Sequence, residues 1–393
     1  MHPKPTEYLP GEKKMLNNDG FSEPVYVTEP LLPDLAETCS MLEIIWQSRQ
    51  LSNNGKMVQE LERKLSAFLG ARYLSVFANG TNALQIACKT LDLSGEVITT
   101  PFTFAATANA LAWNHLTPVF CDIEEATFNI DADRIESLIT DKTTAILPVH
   151  VFGHPCEVEK IDRIAARHNL KVLYDGAHAF GVKIKGKPVG AYGDITMFSF
   201  HATKIFHTVE GGALIFRDQD LQQKAKCLRN FGLKEDYSVD EPGINGKLNE
   251  LQAAIGILLL KEVEAEIAQR KYLTNQYRQV LADVPGITVS QEAEEITANY
   301  PYFVIRVDPA AYGISRDELY SRLSSFNIFC RKYFYPLCSN FKCFKGLPSS
   351  SPDNLATANK VAKSVLALPL HGRMSASDVQ KIGGIIREIK IKN

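Results

Sequence analysis

No stretch of this sequence stays apolar for the roughly 18 residues that a membrane-spanning helix needs. The longest candidate, AAIGILLL from Ala253 to Leu260, is cut off at once by Lys261 and Glu262. The N-terminus, MHPKPTEYLPGEKKML, lacks an apolar signal-peptide core. There is no surplus of one charge either: 43 Lys and Arg stand against 45 Asp and Glu, for a formal net charge of -2. With no basic arm or stripe, nucleic acid is not an expected partner. The eight cysteines, at 39, 88, 121, 156, 227, 330, 338 and 343, form no CxxC pair. They read as reduced residues of a cytoplasmic protein rather than a disulfide framework. Nucleotide signatures are missing as well. No GxGxxG follows an apolar run, and the near-match from Gly181 to Gly186-Lys187 runs into Pro188 where a P-loop needs Ser or Thr. His150, His154 and Cys156 straddle a strand end without a fourth ligand, so no metal is expected.

What the chain does have is length and apolar content. Its 393 residues, 45% of them hydrophobic, can bury a large core in two lobes. Residues 1–22 are polar and Pro-rich and read as a flexible tail. Amphipathic helices are expected at Leu35–Gln47 and Val58–Leu69, the second stopped by Gly70. Seven apolar runs follow, at Tyr73–Ala78, Glu96–Thr100, Pro118–Ile123, Thr144–Val151, Lys171–Tyr174, Ile195–Phe200 and Gly212–Phe216. Helical patterns separate several of them, among them Thr81–Thr90, Ala105–Trp113, Asp131–Leu138 and Glu157–His168. Short continuous strands alternating with helices predict an α/β fold with a mostly parallel seven-stranded sheet, in a large domain spanning 23–260. A single long helix is expected from about Leu248 toward Leu281, as a spine between lobes. Residues 261–393 read as a smaller α+β domain with helices near Arg316–Phe326, at Ala356–Ala367 and from Ser375.

Ligands bind such sheets at the carboxyl ends of the strands. Asp175 ends one apolar run, and Lys204 follows the end of the next. A lysine among apolar neighbours has a depressed amine pKa and suits a Schiff-base nucleophile. An acid nearby can hold a pyridine nitrogen protonated, so the pair fits pyridoxal 5'-phosphate. His178 is placed to meet that cofactor's phenolic oxygen. Gly80, Thr81 and Asn82 lie where a strand passes into a helix, a natural phosphate site to which Ser199 can add a hydroxyl. Phe104 is a candidate to stack on the ring. Each residue taken singly also has an ordinary structural reading.

The ordered set VTEPLLP, NGTNAL, TTPFTFAATANAL, PVHVFGHPC, YDGAHAFG, SFHATKIFHTVEGGA, LRNFG, INGKLNELQAAIG, RKYFYPL and LPLHGRMS resembles the DegT/DnrJ/EryC1/StrS sugar aminotransferases of PLP fold type I. The likeness runs from about Val25 to the end. It implies that Lys204 carries the cofactor and shuttles the proton, and that Asp175 pairs with the pyridinium. His178 would contact the phenolic oxygen, and Phe104 would stack. Gly80, Thr81, Asn82 and Ser199 would cradle the phosphate, with Asn245 reaching it from a neighbouring subunit of a homodimer. Lys247 and Tyr333 would border the substrate, although GINGKL departs from the more usual GYNYRM. The implied activity is amine transfer from L-glutamate, through pyridoxamine 5'-phosphate, to a nucleotide-linked keto sugar. The look is closest to enzymes that aminate C4 of dTDP-4-keto-6-deoxyglucose for O-antigen synthesis. C3 amination and a UDP-4-keto sugar are the alternatives, with a non-catalytic PLP-binding regulator behind them. Lysine at 204, where a dehydrating branch carries histidine, argues against sugar dehydration.

Overall fold

The computed structural model describes residues 20–234, 236–291 and 293–391, so residues 1–19 of the expected tail lie outside the described residues. All seven apolar runs form strands of one sheet: β1 (Leu74–Phe77), β2 (Glu96–Thr99), β3 (Thr117–Phe120), β4 (Thr143–Leu147), β5 (Lys171–Asp175), β6 (Ile195–Ser199) and β7 (Gly212–Phe216). Their spatial order is β1-β7-β6-β5-β4-β2-β3. Strand β7 is antiparallel to both neighbours and the other pairings are parallel.

The strands show no polar alternation because both faces are covered. The period of two then divides their side chains between two cores. Val76, Phe198, Ala213 and Ile215 pack on one face with Leu61 and Leu65 of helix α1 (Lys56–Leu69). Phe77, Met197, Leu214 and Phe216 pack on the other with Ala83, Leu84 and Ala87 of α2 (Gly80–Thr90). Helices α3 (Ala105–Trp113) and α4 (Val158–His168) follow at the expected places. Asn79 caps α2 by accepting from Asn82 N–H at 2.8 Å, while Gly70 ends α1 at φ 62°.

Two expectations need correction. The spine is not one helix but two, α5 (Glu250–Leu259) and α6 (Val263–Leu281). Between them Lys261 N–H bonds Leu258 O and Glu262 N–H bonds Leu259 O, so the chain tightens to i−3 bonds before the second helix begins. On α5, Leu251 is 37% exposed. The packing face of α5 is instead built from Ala253, Ala254 and Gly256, where a Cβ on Gly256 would meet Thr208 Cγ2 at 2.7 Å. Buried Glu250 accepts from Met57 N–H at 2.7 Å and so caps α1, whose Gly55 has no side chain to do so. The second correction is at Ala356–Ala367. The helix there, α8, stops at Ser364, because Val365–Leu368 leaves it as a fully buried strand.

That strand, β10, joins β8 (Ile287–Val289) and β9 (Phe303–Val307) in an antiparallel sheet of order β8-β9-β10. Helices α7 (Arg316–Ser324) and α9 (Ala376–Ile391) complete its core with Leu319, Leu323, Ile382 and Ile386. Val25–Tyr26 pairs in parallel with Ile328–Phe329, tying the N-terminal segment to this core. The link from β8 to β9 crosses the large sheet's carboxyl edge: Ile296–Thr297 pairs with Lys183–Ile184, and residues 299–302 run past the end of β5.

Candidate active site

Asp175 closes β5 with its carboxylate buried. One oxygen accepts from Ala177 N–H at 3.0 Å and the other from Thr107 Oγ1 at 2.8 Å. Thr107 sits on the first turn of α3 and shares a 2.8 Å hydrogen bond with Thr103. Burial raises the Asp175 pKa above the carboxylate range, against those two bonds and the nearby charge of Lys204. Among the described residues no cation forms an ion pair with this carboxylate.

Lys204 lies just beyond β6, half-buried as a residue. Its amine is deep enough that burial lowers its pKa, opposed by Tyr333 and Asp175. The amine lies 5.9 Å from the centre of the Tyr302 ring. The acid is pushed up and the base is pushed down, in each case because burial disfavours the charged form. A ligand carrying a protonated ring nitrogen fits an acid in that condition, and an aldehyde fits such an amine.

His178 is fixed by its neighbours. Its Nδ1 accepts from Phe152 N–H at 3.3 Å, which leaves the proton on Nε2 as a donor. Its ring runs parallel to Phe152 and Phe334, each 6.0 Å away, and meets Tyr302 edge-on at 5.0 Å. Burial, helped by the charge of Lys204, depresses its pKa well below the histidine range, so the ring is neutral. Asn299 holds the loop behind it, donating to His178 O at 2.9 Å and Phe180 O at 3.0 Å. Two carbonyl acceptors settle which end of that amide is nitrogen.

The start of α2 forms the other end of the site. Gly80 and Thr81 expose first-turn N–H groups that no intrahelical carbonyl can reach. A Cβ on Gly80 would lie 3.3 Å from Ser199 Oγ, and one on Gly212 would lie 2.8 Å from Gly80 N, so strand ends and helix start are closely apposed. Asn82 differs from the expectation, since its N–H is taken by Asn79 and its side chain by Asn79 and Gln85. Phe104 stands at the N-cap of α3, three residues before Thr107, and is 64% exposed. Tyr333 packs edge-on to Tyr302 at 5.4 Å; burial drives its hydroxyl pKa up to about 12.

Asn245 and Lys247 stand apart from this cluster. Gly246 O accepts from Ala78 N–H at 2.8 Å, which runs the segment along the end of β1, and Asn245 faces out, exposed. Lys247 Nζ donates to Asn230 Oδ1 at 2.8 Å beside the Phe231 ring. It lines a groove of about 1020 Å³ with Arg229, Lys224, Lys234 and Asp240. The structure thus gathers Asp175, His178, Lys204, Tyr333 and the α2 start, and leaves the other two on the rim. Thr107, Asn299 and Tyr302 join the cluster unannounced by the sequence. Only Tyr302 had a signal, as an aromatic in YPYFVIRV ahead of a strand.

The family model of the DegT/DnrJ/EryC1/StrS aminotransferase family matches residues 34–387. The chain belongs to that family. This aminotransferase is 47% identical over 359 residues to the Escherichia coli dTDP-4-amino-4,6-dideoxy-D-glucose transaminase, covering 91% of this chain and 96% of that one. It is 44% identical to the enzyme of the same name from Shigella dysenteriae, over 94% and 100% of the two chains. Among solved structures, DesI in the presence of its TDP-sugar product superposes with a TM-score of 0.91 at 34% identity, covering 94% of each chain. Among the described residues, no helix is long and apolar enough to cross a membrane, and no cluster of three or more His, Cys, Asp or Glu could hold a metal.

Proposed function

We propose that this aminotransferase uses pyridoxal 5'-phosphate to move an amino group from L-glutamate to C4 of dTDP-4-keto-6-deoxyglucose. The product is dTDP-4-amino-4,6-dideoxyglucose, destined for a surface polysaccharide such as O-antigen. Glutamate leaves as 2-oxoglutarate, so the amine and the keto oxygen change places between the two substrates. The observation that carries the chemistry is the buried Asp175 carboxylate without an ion-paired cation, beside a lysine amine whose charge is disfavoured. The sugar assignment rests on the two transaminases at 47% and 44% identity.

The bound cofactor supplies an electron sink for the carbon that loses or gains the amine. The chain's own groups do the rest. Asp175 holds a proton on the ring nitrogen, and Ala177 and Thr107 orient it. Lys204, with its lowered pKa, takes up and returns the proton that moves between carbons. His178 offers Nε2–H as a neutral donor toward the phenolic oxygen, and Phe104 covers the ring. The free N–H groups of Gly80 and Thr81, with the Ser199 hydroxyl, bind the phosphate.

The partner of a homodimer supplies Asn245 to the phosphate and Lys247 to the nucleotide-sugar diphosphate. Exposure of Leu35 and Trp46 on the helix Leu35–Ser48, and of Trp113, Phe231 and Leu251, supports such an interface. Incubation with glutamate and a panel of dTDP- and UDP-linked keto sugars, followed by NMR location of the new amine, tests the reading. Nitrogen at C4 of the dTDP sugar is the expected result. Nitrogen at C3, or acceptance of UDP sugars alone, would overturn the substrate. Absence of a visible cofactor band that responds to glutamate would overturn the chemistry.

A further inference from the structure

On the reading above, Lys204 takes up a proton and gives it back, so its amine is an ammonium for part of each cycle. A buried ammonium is costly unless something receives its charge. Among the described residues, no acceptor hydrogen-bonds the Lys204 amine and no carboxylate pairs with it. Asp175 is near, but on the same reading its charge serves the ring nitrogen. What the amine faces is the Tyr302 ring, with Nζ 5.9 Å from the ring centre. That is inside the roughly 6 Å over which an aromatic face attracts a cation.

The ring is held in place from several sides. Three neighbours cross it at steep angles: His178 at 5.0 Å and 70°, Tyr333 at 5.4 Å and 77°, and Phe152 at 5.9 Å and 71°. The chain just before it is anchored twice. Arg270, ion-paired with Glu266 on α6, donates from Nη1 to Pro301 O at 3.2 Å. Asn299 spans His178 O and Phe180 O. Turning the face away from the lysine would break these contacts. The other titratable groups around the amine are Asp175 at the end of β5, His178 just beyond it, and Tyr333.

We propose that the face of Tyr302 is the seat of the Lys204 ammonium, receiving its charge while the lysine holds the transferred proton. For the proton's passage the assignment rests on the functional reading above, whereas the contact of ring and amine stands on the geometry. Tyr302 is then a positioning residue whose ring matters and whose hydroxyl does not. An aliphatic side chain at this place would fill the space without attracting charge.

The experiment titrates the amine itself, because only its neutral form reacts in reductive methylation. The full chain is pulse-labelled across a pH series, both cofactor-free and loaded with pyridoxamine 5'-phosphate. Mass spectrometry reads Lys204, with exposed Lys183 as the internal reference. Tyr302→Leu is expected to lower the Lys204 midpoint by about one pH unit, since the ammonium loses the ring face. Tyr302→Phe should leave it within about 0.3 unit. Phe carrying successively more ring fluorine at this position keeps the shape and weakens the negative face, so the midpoint should fall stepwise. That series holds the packing even where Tyr302→Leu folds poorly. A midpoint indifferent to fluorination would overturn the proposal. A shift in Tyr302→Phe as large as in Tyr302→Leu would also overturn it, by assigning the effect to the hydroxyl. A wild type that does not convert glutamate would instead refute the functional reading, while the midpoint shifts, and the ring contact, would remain.

Discussion

The cluster around Lys204 and the rim around Lys247 are built on opposite plans. In the cluster the acid and the histidine are fixed by their neighbours. Asp175 is held by Ala177 and Thr107, His178 by Phe152, and the loop behind His178 by Asn299. On the rim, Asn245 is exposed and Lys247 leans on a single amide. Interlocked burial is what tunes an acid up and a lysine down, and one chain can supply it alone. An open rim does no such tuning, but a second surface can close it. The contrast separates a buried chemical centre from an open edge, which on the proposed reading a partner subunit would close.

The largest expected effect lies in the centre. Lys204→Ala should cut turnover by about a thousandfold or more while the nucleotide sugar still binds, measured by steady-state rate and by titration calorimetry. Turnover near wild type would remove the lysine from its role. Asn299→Asp comes next. It sets a carboxylate against two carbonyl oxygens and removes both donors, which should cost roughly 2–4 kcal/mol in chemical unfolding. It should also lower activity without changing the substrate preferred. If neither stability nor rate moves, the clamp on His178 is unimportant.

A smaller effect, with an informative sign, comes from Asp175→Asn. The folded pKa of Asp175 is raised, so its ionisation penalty is absent below the unfolded pKa and complete above the folded one. The cofactor-free wild type therefore takes on that penalty as pH rises from the unfolded pKa through the folded one. Cofactor-free Asp175→Asn should melt no lower than wild type, while its stabilisation by added cofactor should be weaker. A large drop in the cofactor-free Tm would show that the carboxylate is a structural strut. The smallest change is expected on the rim, where Lys247→Ala should raise KM for the sugar roughly tenfold and leave kcat almost intact. A kcat effect as large as that of Lys204→Ala would erase the contrast between the two regions.

The centre was more legible in sequence than the parts that hold it. Seven apolar runs identified seven strands because strands buried on both faces need apolar side chains throughout. Asp175 and Lys204 stood out because charges at the ends of such runs need a reason. The break at residues 260–262 was hidden, since Leu258, Leu259 and Val263 continue a helical pattern across the i−3 bonds that interrupt it. Asn299 was hidden more deeply. Its role depends on two carbonyls that lie about 120 positions earlier in the chain and are reached only once the crossover has docked. Thr107 is the same case for Asp175. For Asn82 the sequence suggested a phosphate contact, but the helix cap claims its N–H first.

The claim that the partner's rim closes each centre can be tested by mixing two inactive variants, Lys204→Ala and Asn245→Asp. In a mixed dimer one centre keeps its lysine and receives an intact Asn245 from the other chain, while the second centre carries both lesions. Random reassortment makes half the dimers mixed, each with one whole site, so activity should return to about a quarter of the wild-type value. No recovery after subunit exchange has been verified, or an Asn245→Asp enzyme as active as wild type, would contradict the account.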